Sequence, residues 1–256
     1  MRKIEKNFTP IKIVSEKVEQ EFLINLSEKK HLEENKRYKI IHDELIEIYH
    51  NKCAYCEKNL SDTDSPVEHY RPKNKANVNW SKCENNYSYY WLAYSWSNLI
   101  LSCKQCNGNK GNCFNIKGKR AEYSGENLKK LQYFNYDKDE MPLLINPEQL
   151  TESELEKQFY FEINGEIVGI TDEMKYTIII CDLNRHTLKN EKRLNLLNTY
   201  LKRYQRAIFI KKENAEKEIT RIIDELEIET NEKAEFTAWR KFIIQFFHNE
   251  LSKNKK

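Results

Sequence analysis

Two matched cysteine pairs constrain this chain more than anything else in it: Cys53-Ala54-Tyr55-Cys56 and Cys103-Lys104-Gln105-Cys106, with 46 residues between them. Each pair can close a knuckle around one edge of a metal ion, and two knuckles complete a tetrahedral thiolate site of the kind that suits zinc. Core thiols or a redox pair are the alternatives; the matching of two pairs favours the metal. Four thiolates leave no open position for a substrate, so the expected Zn2+ is structural, cross-linking the chain rather than catalysing. Cys83, Cys113 and Cys181 complete the seven cysteines. They have no matching partners and read as ordinary thiols.

With 256 residues, 39% of them apolar, the chain can bury a substantial core, which excludes a disordered or collagen-like polymer. Apolar runs such as Ile178 to Cys181 and Trp91 to Tyr94 fall far short of the roughly 20 residues of a membrane helix. No apolar block with a cleavage site follows the opening Met1-Arg2-Lys3-Ile4-Glu5-Lys6. The expected location is the bacterial cytoplasm, with no membrane partner, where thiols stay reduced and metal ligation is favoured over disulfides. The net charge of +3 conceals an uneven distribution. Residues 53 to 120 carry 10 positive and 5 negative charges, residues 121 to 182 carry 5 and 14, and residues 183 to 256 carry 17 and 11. Two basic stretches flank an acidic one, a pattern compatible with a polyanionic partner.

Between residues 36 and 50, Tyr38, Ile41, Leu45 and Ile48 recur at helical spacing, which predicts an amphipathic helix running towards Cys53; a weaker helical pattern covers 15 to 30. Residues 53 to 120 are rich in Asn, Ser, Gly and aromatic side chains, suited to short strands and loops pinned by something other than a large core. Phe159, Phe161 and Ile163 alternate with polar positions and lead into Asn164-Gly165, which predicts a hairpin with a type I′ turn. Residues 176 to 181 lean towards helix. From 187 onward three stripes predict helices: Leu194, Leu197, Leu201, Tyr204 and Ile208; then Ile219, Ile222, Ile223 and Leu226; then Trp239, Phe242, Ile243, Phe246 and Phe247.

The chemistry is expected between the knuckles. There lie Pro66-Val67-Glu68-His69-Tyr70-Arg71-Pro72-Lys73 and Trp96-Ser97-Asn98-Leu99-Ile100-Leu101-Ser102, and the second pair continues into Asn107-Gly108-Asn109-Lys110-Gly111. In these segments the chain resembles an HNH endonuclease. His69, Asn98 and Asn107 stand at the three motif positions of its ββα-metal core, and cysteine knuckles bracketing that core are a common variant. Two departures are visible: Asn107 replaces the commoner His, and the step from His69 to Asn98 is long at 29 residues.

The residue types fit phosphodiester hydrolysis on their own account. An imidazole titrates near neutral pH, so His69 is the natural base for water. Asn107 offers an amide oxygen and Glu68 a carboxylate, a sparse oxygen site that suits a catalytic Mg2+, or Mn2+ in its place, with waters and phosphate completing the shell. On a regular strand Glu68 and His69 point to opposite faces, so they share a site only if the strand ends there. The resemblance implies that Asn98 orients the loop carrying the base. Lys104, Lys110, Arg71 and Lys73 are the expected nucleic-acid contacts. Residues 183 to 212 add nine Lys or Arg against Glu191 alone, a further basic face or a dock for an acidic protein. Tyr87, Tyr89, Tyr90, Trp91, Tyr94 and Trp96 read as core rather than as base-stacking platforms.

The similarity extends through Tyr90-Trp91-Leu92-Ala93-Tyr94-Ser95-Trp96, Leu143-Leu144-Ile145-Asn146-Pro147 and Leu183-Asn184-Arg185 with Leu188 and Arg193. These segments resemble the HNH nuclease subunits of Septu-type and retron-associated anti-phage defence systems. The resemblance implies an ABC/SMC-type ATPase subunit as partner, possible retron RNA or DNA in the complex, and cleavage leaving 5′-phosphate ends. The expected fold is α+β and mainly helical: an N-terminal helical segment packing on the core (1–52), a zinc-stapled HNH core (53–120), and a C-terminal region with a hairpin and helices (121–256). The other class of function is a non-catalytic zinc module that binds nucleic acid or a partner protein. No motif reads a 2′-hydroxyl, so DNA and RNA stay equally open as substrate.

Overall fold

The computed structural model describes residues 1–34, 36–60, 66–75, 83, 87–123, 125, 136–210 and 212–254. Helix α1 (Glu16–Glu28) begins with Glu16 and Glu19, acids that complement the positive end of the helix dipole, and buries Val18, Phe22 and Asn25. A 3-10 turn, Arg37–Ile41, runs directly into α2 (His42–Ile48). Tyr38, Ile41, Leu45 and Tyr49 form its buried side. The chain then leaves the helix through left-handed His50 and Asn51, delivering Cys53 to the first knuckle.

Strand β1 (Val67–His69) pairs antiparallel with β2 (Leu99–Leu101), with His69 opposite Leu99 and Glu68 opposite Ile100. All six residues are buried, which explains the unbroken apolar run Leu99-Ile100-Leu101 in place of alternation. Helix α3 (Lys104–Lys110) follows, its first turn wound around the second cysteine pair. Two short helices come next, α4 (Asp137–Glu140) and α5 (Glu152–Glu156), the latter closed by a Thr151–Glu154 capping box.

Strands β3 (Phe159–Phe161) and β4 (Ile167–Gly169) form the expected hairpin, with Phe159 and Phe161 inward and Tyr160 outward. Its turn differs from the expectation. Only Gly165 is left-handed, at φ +80°, and its N–H donates to the Glu162 carbonyl. A type I′ turn needs left-handed backbone at both central residues, whereas here a longer loop lets Asn164 accept from the Glu166 N–H instead.

Helix α6 (Asp172–Cys181), capped by Thr171, is followed by α7 (His186–Leu188), a π-helical stretch Lys189–Leu194, α8 (Asn195–Ile210), α9 (Lys212–Glu229) and α10 (Thr237–Asn254). Helix α9 packs against both α8 and α10, burying Ile219, Ile222, Ile223 and Leu226. The α8 stripe fails at its end, where Ile208 is exposed, because nothing described covers the last turn. Trp239 of α10 stacks on Phe242 and meets Phe161 edge-on at 5.1 Å, which ties the hairpin to the last helix. The chain is thus mainly helical, and one apolar cluster runs from Met1 to Phe247.

One further expectation is corrected. Cys83 and Cys113 are joined by a disulfide rather than standing as ordinary thiols; the chain returns residue 83 to the end of α3, where the Cα atoms are 5.0 Å apart. In the basic run from 183 to 212, Lys189 pairs with Glu166, Arg203 with Glu218 and Glu225, and Arg193 is buried against backbone carbonyls, while Lys192, Lys202 and Arg206 are exposed. Lys211 lies outside the described residues. Among the described residues, no helix is long and apolar enough to cross a membrane.

Candidate functional site

Cys53, Cys56, Cys103 and Cys106 are all buried, and their sulfurs lie within 4.8 Å of one another. Cys56 Sγ is 3.9 Å from Cys103 Sγ. A tetrahedral ion bound at ~2.3 Å spaces its sulfurs about 3.8 Å apart, so the cluster fits a metal such as zinc. The second knuckle is set by the start of α3, where Cys103 is the N-cap and its Sγ accepts from the Cys106 N–H. The first is held to β2 by the Ala54 N–H, which donates to the Leu101 carbonyl at 2.9 Å.

His69 ends β1 and is 5% exposed. Its Nε2 lies 3.0 Å from the Ala93 carbonyl, which can only accept, so Nε2 carries the proton and Nδ1 keeps the lone pair. Burial, reinforced by the Lys73 ammonium, holds the imidazole well below its ordinary titration range and keeps it neutral. Tyr38 meets the ring edge-on at 4.6 Å. Asn98 stands just before β2, and its side chain clamps the chain beyond His69. Its Oδ1 accepts from the Arg71 N–H at 2.7 Å, and its Nδ2 donates to the carbonyls of Arg71 and Leu92 at 3.0 and 3.1 Å.

Glu68, the residue before His69 in β1, is buried too. Its Oε1 accepts from Lys110 Nζ at 2.6 Å, and the same ammonium donates to the His69 carbonyl at 2.9 Å. Lys110 is fully buried. It is therefore a structural cation joining α3 to β1, not the phosphate contact expected of it. Asn107 sits half-buried on α3, three residues before Lys110 and so on the same face of the helix. The Glu68 carboxylate is paired with the lysine.

Arg71 is likewise corrected. It is buried, its Nε donates to Glu140 Oε2 at 2.7 Å, and its Nη2 donates to Asp137 Oδ1 at 2.5 Å. Two carboxylates neutralise it, and Tyr70 and Phe114 flank it, so it anchors the loop after β1 instead of facing an external phosphate. Lys73 is half-buried with its ammonium 5.3 Å from the Tyr38 ring, and Lys104 is exposed on the first turn of α3. Of the four expected nucleic-acid contacts, these two present charge near the surface.

Three participants escaped the sequence reading. Glu140, fully buried, accepts from Arg71, from the Tyr89 hydroxyl and from the Ala121 N–H. Tyr38 covers His69 from the N-terminal segment. Arg185 donates to the cysteine cluster. Tyr38 carries a signal in the helical stripe of 36–50 and Arg185 in Leu183-Asn184-Arg185, and neither signal names a partner.

Comparison with known proteins gives partial matches. The chain is 36% identical over 107 residues to the Septu protein PtuB of Bacillus mycoides (strain KBAB4), a stretch covering 40% of this chain and 33% of that protein. It is 39% identical over 69 residues to the Septu protein PtuB of Bacillus thuringiensis, covering 26% of this chain and 22% of the relative. The chain thus resembles PtuB, and the match spans about a third or less of these curated relatives. No family model and no solved structure matches it.

Proposed function

We propose that the chain is a metal-dependent HNH endonuclease, acting as the effector subunit of a Septu-type anti-phage defence complex. The observation that carries this reading is the His69 environment. A neutral imidazole with a lone pair at Nδ1 ends the first strand of a strand–strand–helix unit, and Asn98 clamps the backbone just beyond it. In this reading His69 takes a proton from water, and the resulting hydroxide attacks phosphorus in line with the 3′ oxygen, which leaves. The phosphate stays on the 5′ end. Asn107 and Glu68 are the residues that would hold Mg2+ or Mn2+, a hard cation content with one carboxylate and several waters. When bound, that ion supplies charge neutralisation at the phosphate and the leaving oxygen. The four cysteines serve as a structural Zn2+ site, and Lys73 and Lys104 meet the nucleic-acid backbone. An ATPase partner of the ABC/SMC kind, and retron RNA or DNA in the complex, belong to this reading through the family resemblance alone, while the partial similarity to the Septu proteins supports a role in a Septu-type system.

One observation favours the second reading, a non-catalytic zinc module: His69 is 5% exposed, with Tyr38 against it. Cleavage assays separate the two. Purified chain, alone and with its ATPase subunit, is incubated with supercoiled DNA and with RNA in Mg2+, Mn2+ or EDTA. Cleavage that His69→Ala reduces at least about 100-fold, with bound zinc unchanged, is the expected result. Equal cleavage by His69→Ala would refute the nuclease assignment.

A further inference from the structure

Leu183-Asn184-Arg185 follows α6 and belongs to neither knuckle. Asp182 leaves the helix in the left-handed conformation, at φ +49°, and turns the chain back towards the cysteines. Arg185 Nη1 donates to Cys106 Sγ at 3.5 Å, and Nη2 donates towards Cys56 Sγ and Cys103 Sγ at 3.7 and 3.8 Å. Three of the four sulfurs thus face a single guanidinium. The head is fixed from its own side as well, since Nη1 also donates to the carbonyls of Cys181 and Asp182 at 3.3 and 3.0 Å.

The turn presenting Arg185 is pinned by its neighbours. Asn184 accepts from the Ile167 N–H and donates to the Ile167 carbonyl, both at 2.9 Å, which fastens it to β4. Arg193 reaches back from the π-helical stretch to the carbonyls of Leu183 and Gly165, also at 2.9 Å each. The Trp239 indole N–H donates in turn to the Arg193 carbonyl at 2.8 Å, linking α10 to the same turn.

We infer that Arg185 is the outer-sphere positioning residue of the thiolate-bound metal, and that the bound metal locks the turn 182–193 onto the knuckles. Four thiolates around a divalent cation carry about two units of excess negative charge in a buried place, where an uncompensated charge is costly. A guanidinium never deprotonates and points several N–H groups in fixed directions, so it can offset that charge and orient several sulfurs at once. A lysine would bring a point charge without the fork. The inference rests on the cysteines binding a metal and is independent of the nuclease assignment.

The test uses the full chain, its zinc content measured first. Zinc release to excess EDTA is followed for the wild type, Arg185→Lys and Arg185→Ala, with circular dichroism as the check on folding. Arg185→Ala is expected to release zinc about 10- to 100-fold faster, as removal of outer-sphere partners typically does, with Arg185→Lys in between. Hydrogen exchange across 182–193 is expected to rise when the wild type is stripped of zinc. Release from a folded Arg185→Ala within about twofold of wild type would overturn the inference, as would unchanged exchange on stripping. If the alanine variant does not fold, Arg185→Lys decides, since a rate equal to wild type rejects the forked contact. A wild-type chain that carries no zinc overturns the thiolate site itself, and that outcome is seen before any variant is made.

Discussion

His31 shows how much one buried ring can weigh. Its Nδ1 accepts from Asn25 Nδ2 at 3.0 Å, while Nε2 is buried with no hydrogen-bond partner among the described residues. Burial, with Lys73 and Lys36 adding repulsion, lowers its pKa to about 4 from an ordinary 6.5. Between those values the unfolded chain binds a proton that the folded chain refuses, so stability is lost as pH falls from 6.5 towards 4. The loss from this residue is on the order of 3 kcal/mol. Urea unfolding at pH 7 and pH 4.5 should show a smaller drop in midpoint for His31→Gln than for the wild type; equal drops would exclude this origin. Nothing local in the sequence announces that Tyr38 and Tyr94 close over His31.

At the scale of elements, α3 is where the candidate metal site and the candidate active site meet. Seven residues long, it holds Cys106 in its first turn and sends Lys110 to Glu68 from its last. A helix this short has little stability of its own, so the knuckle and the buried ion pair must hold it. Cys106→Ser should therefore lose zinc and lower the melting temperature by roughly 10 °C or more, since removing a ligand forfeits folding energy supplied by the metal. Metal analysis and calorimetry check this, and unchanged values would refute the four-cysteine site. Spacing alone marked these cysteines, because C-x-x-C is a local geometry. The fate of Lys110 was hidden, since its counter-ion lies 42 residues away.

Across the whole molecule, Glu57 joins the first knuckle to the last helix. It holds a left-handed backbone at φ +60°, its carbonyl accepts from the Phe236 N–H, and its Oε2 accepts from the Ala238 N–H in the first turn of α10 at 3.0 Å. A carboxylate there satisfies an otherwise unpaired helix donor and complements the dipole. Glu57→Ala is expected to cost about 2 kcal/mol in urea unfolding, with Glu57→Gln milder because its amide oxygen still accepts. Similar losses for both would show that the contact contributes through shape rather than hydrogen bonding.

Local chemistry alone determined the cysteine knuckles, the hairpin at 159–169 and the helical last quarter, because knuckle spacing, turn chemistry and apolar period all act over a few residues; the segments carrying His69, Asn98 and Asn107 were marked by family resemblance. Tertiary structure decided which charges face water. Arg71 and Lys110 resemble surface cations in the chain but are consumed by Glu140, Asp137 and Glu68. Arg185 looks like one more base in a basic run and instead lies against three sulfurs. A charge is defined by its counter-charge, and in this protein the counter-charges arrive from elements tens of residues away that only folding brings near.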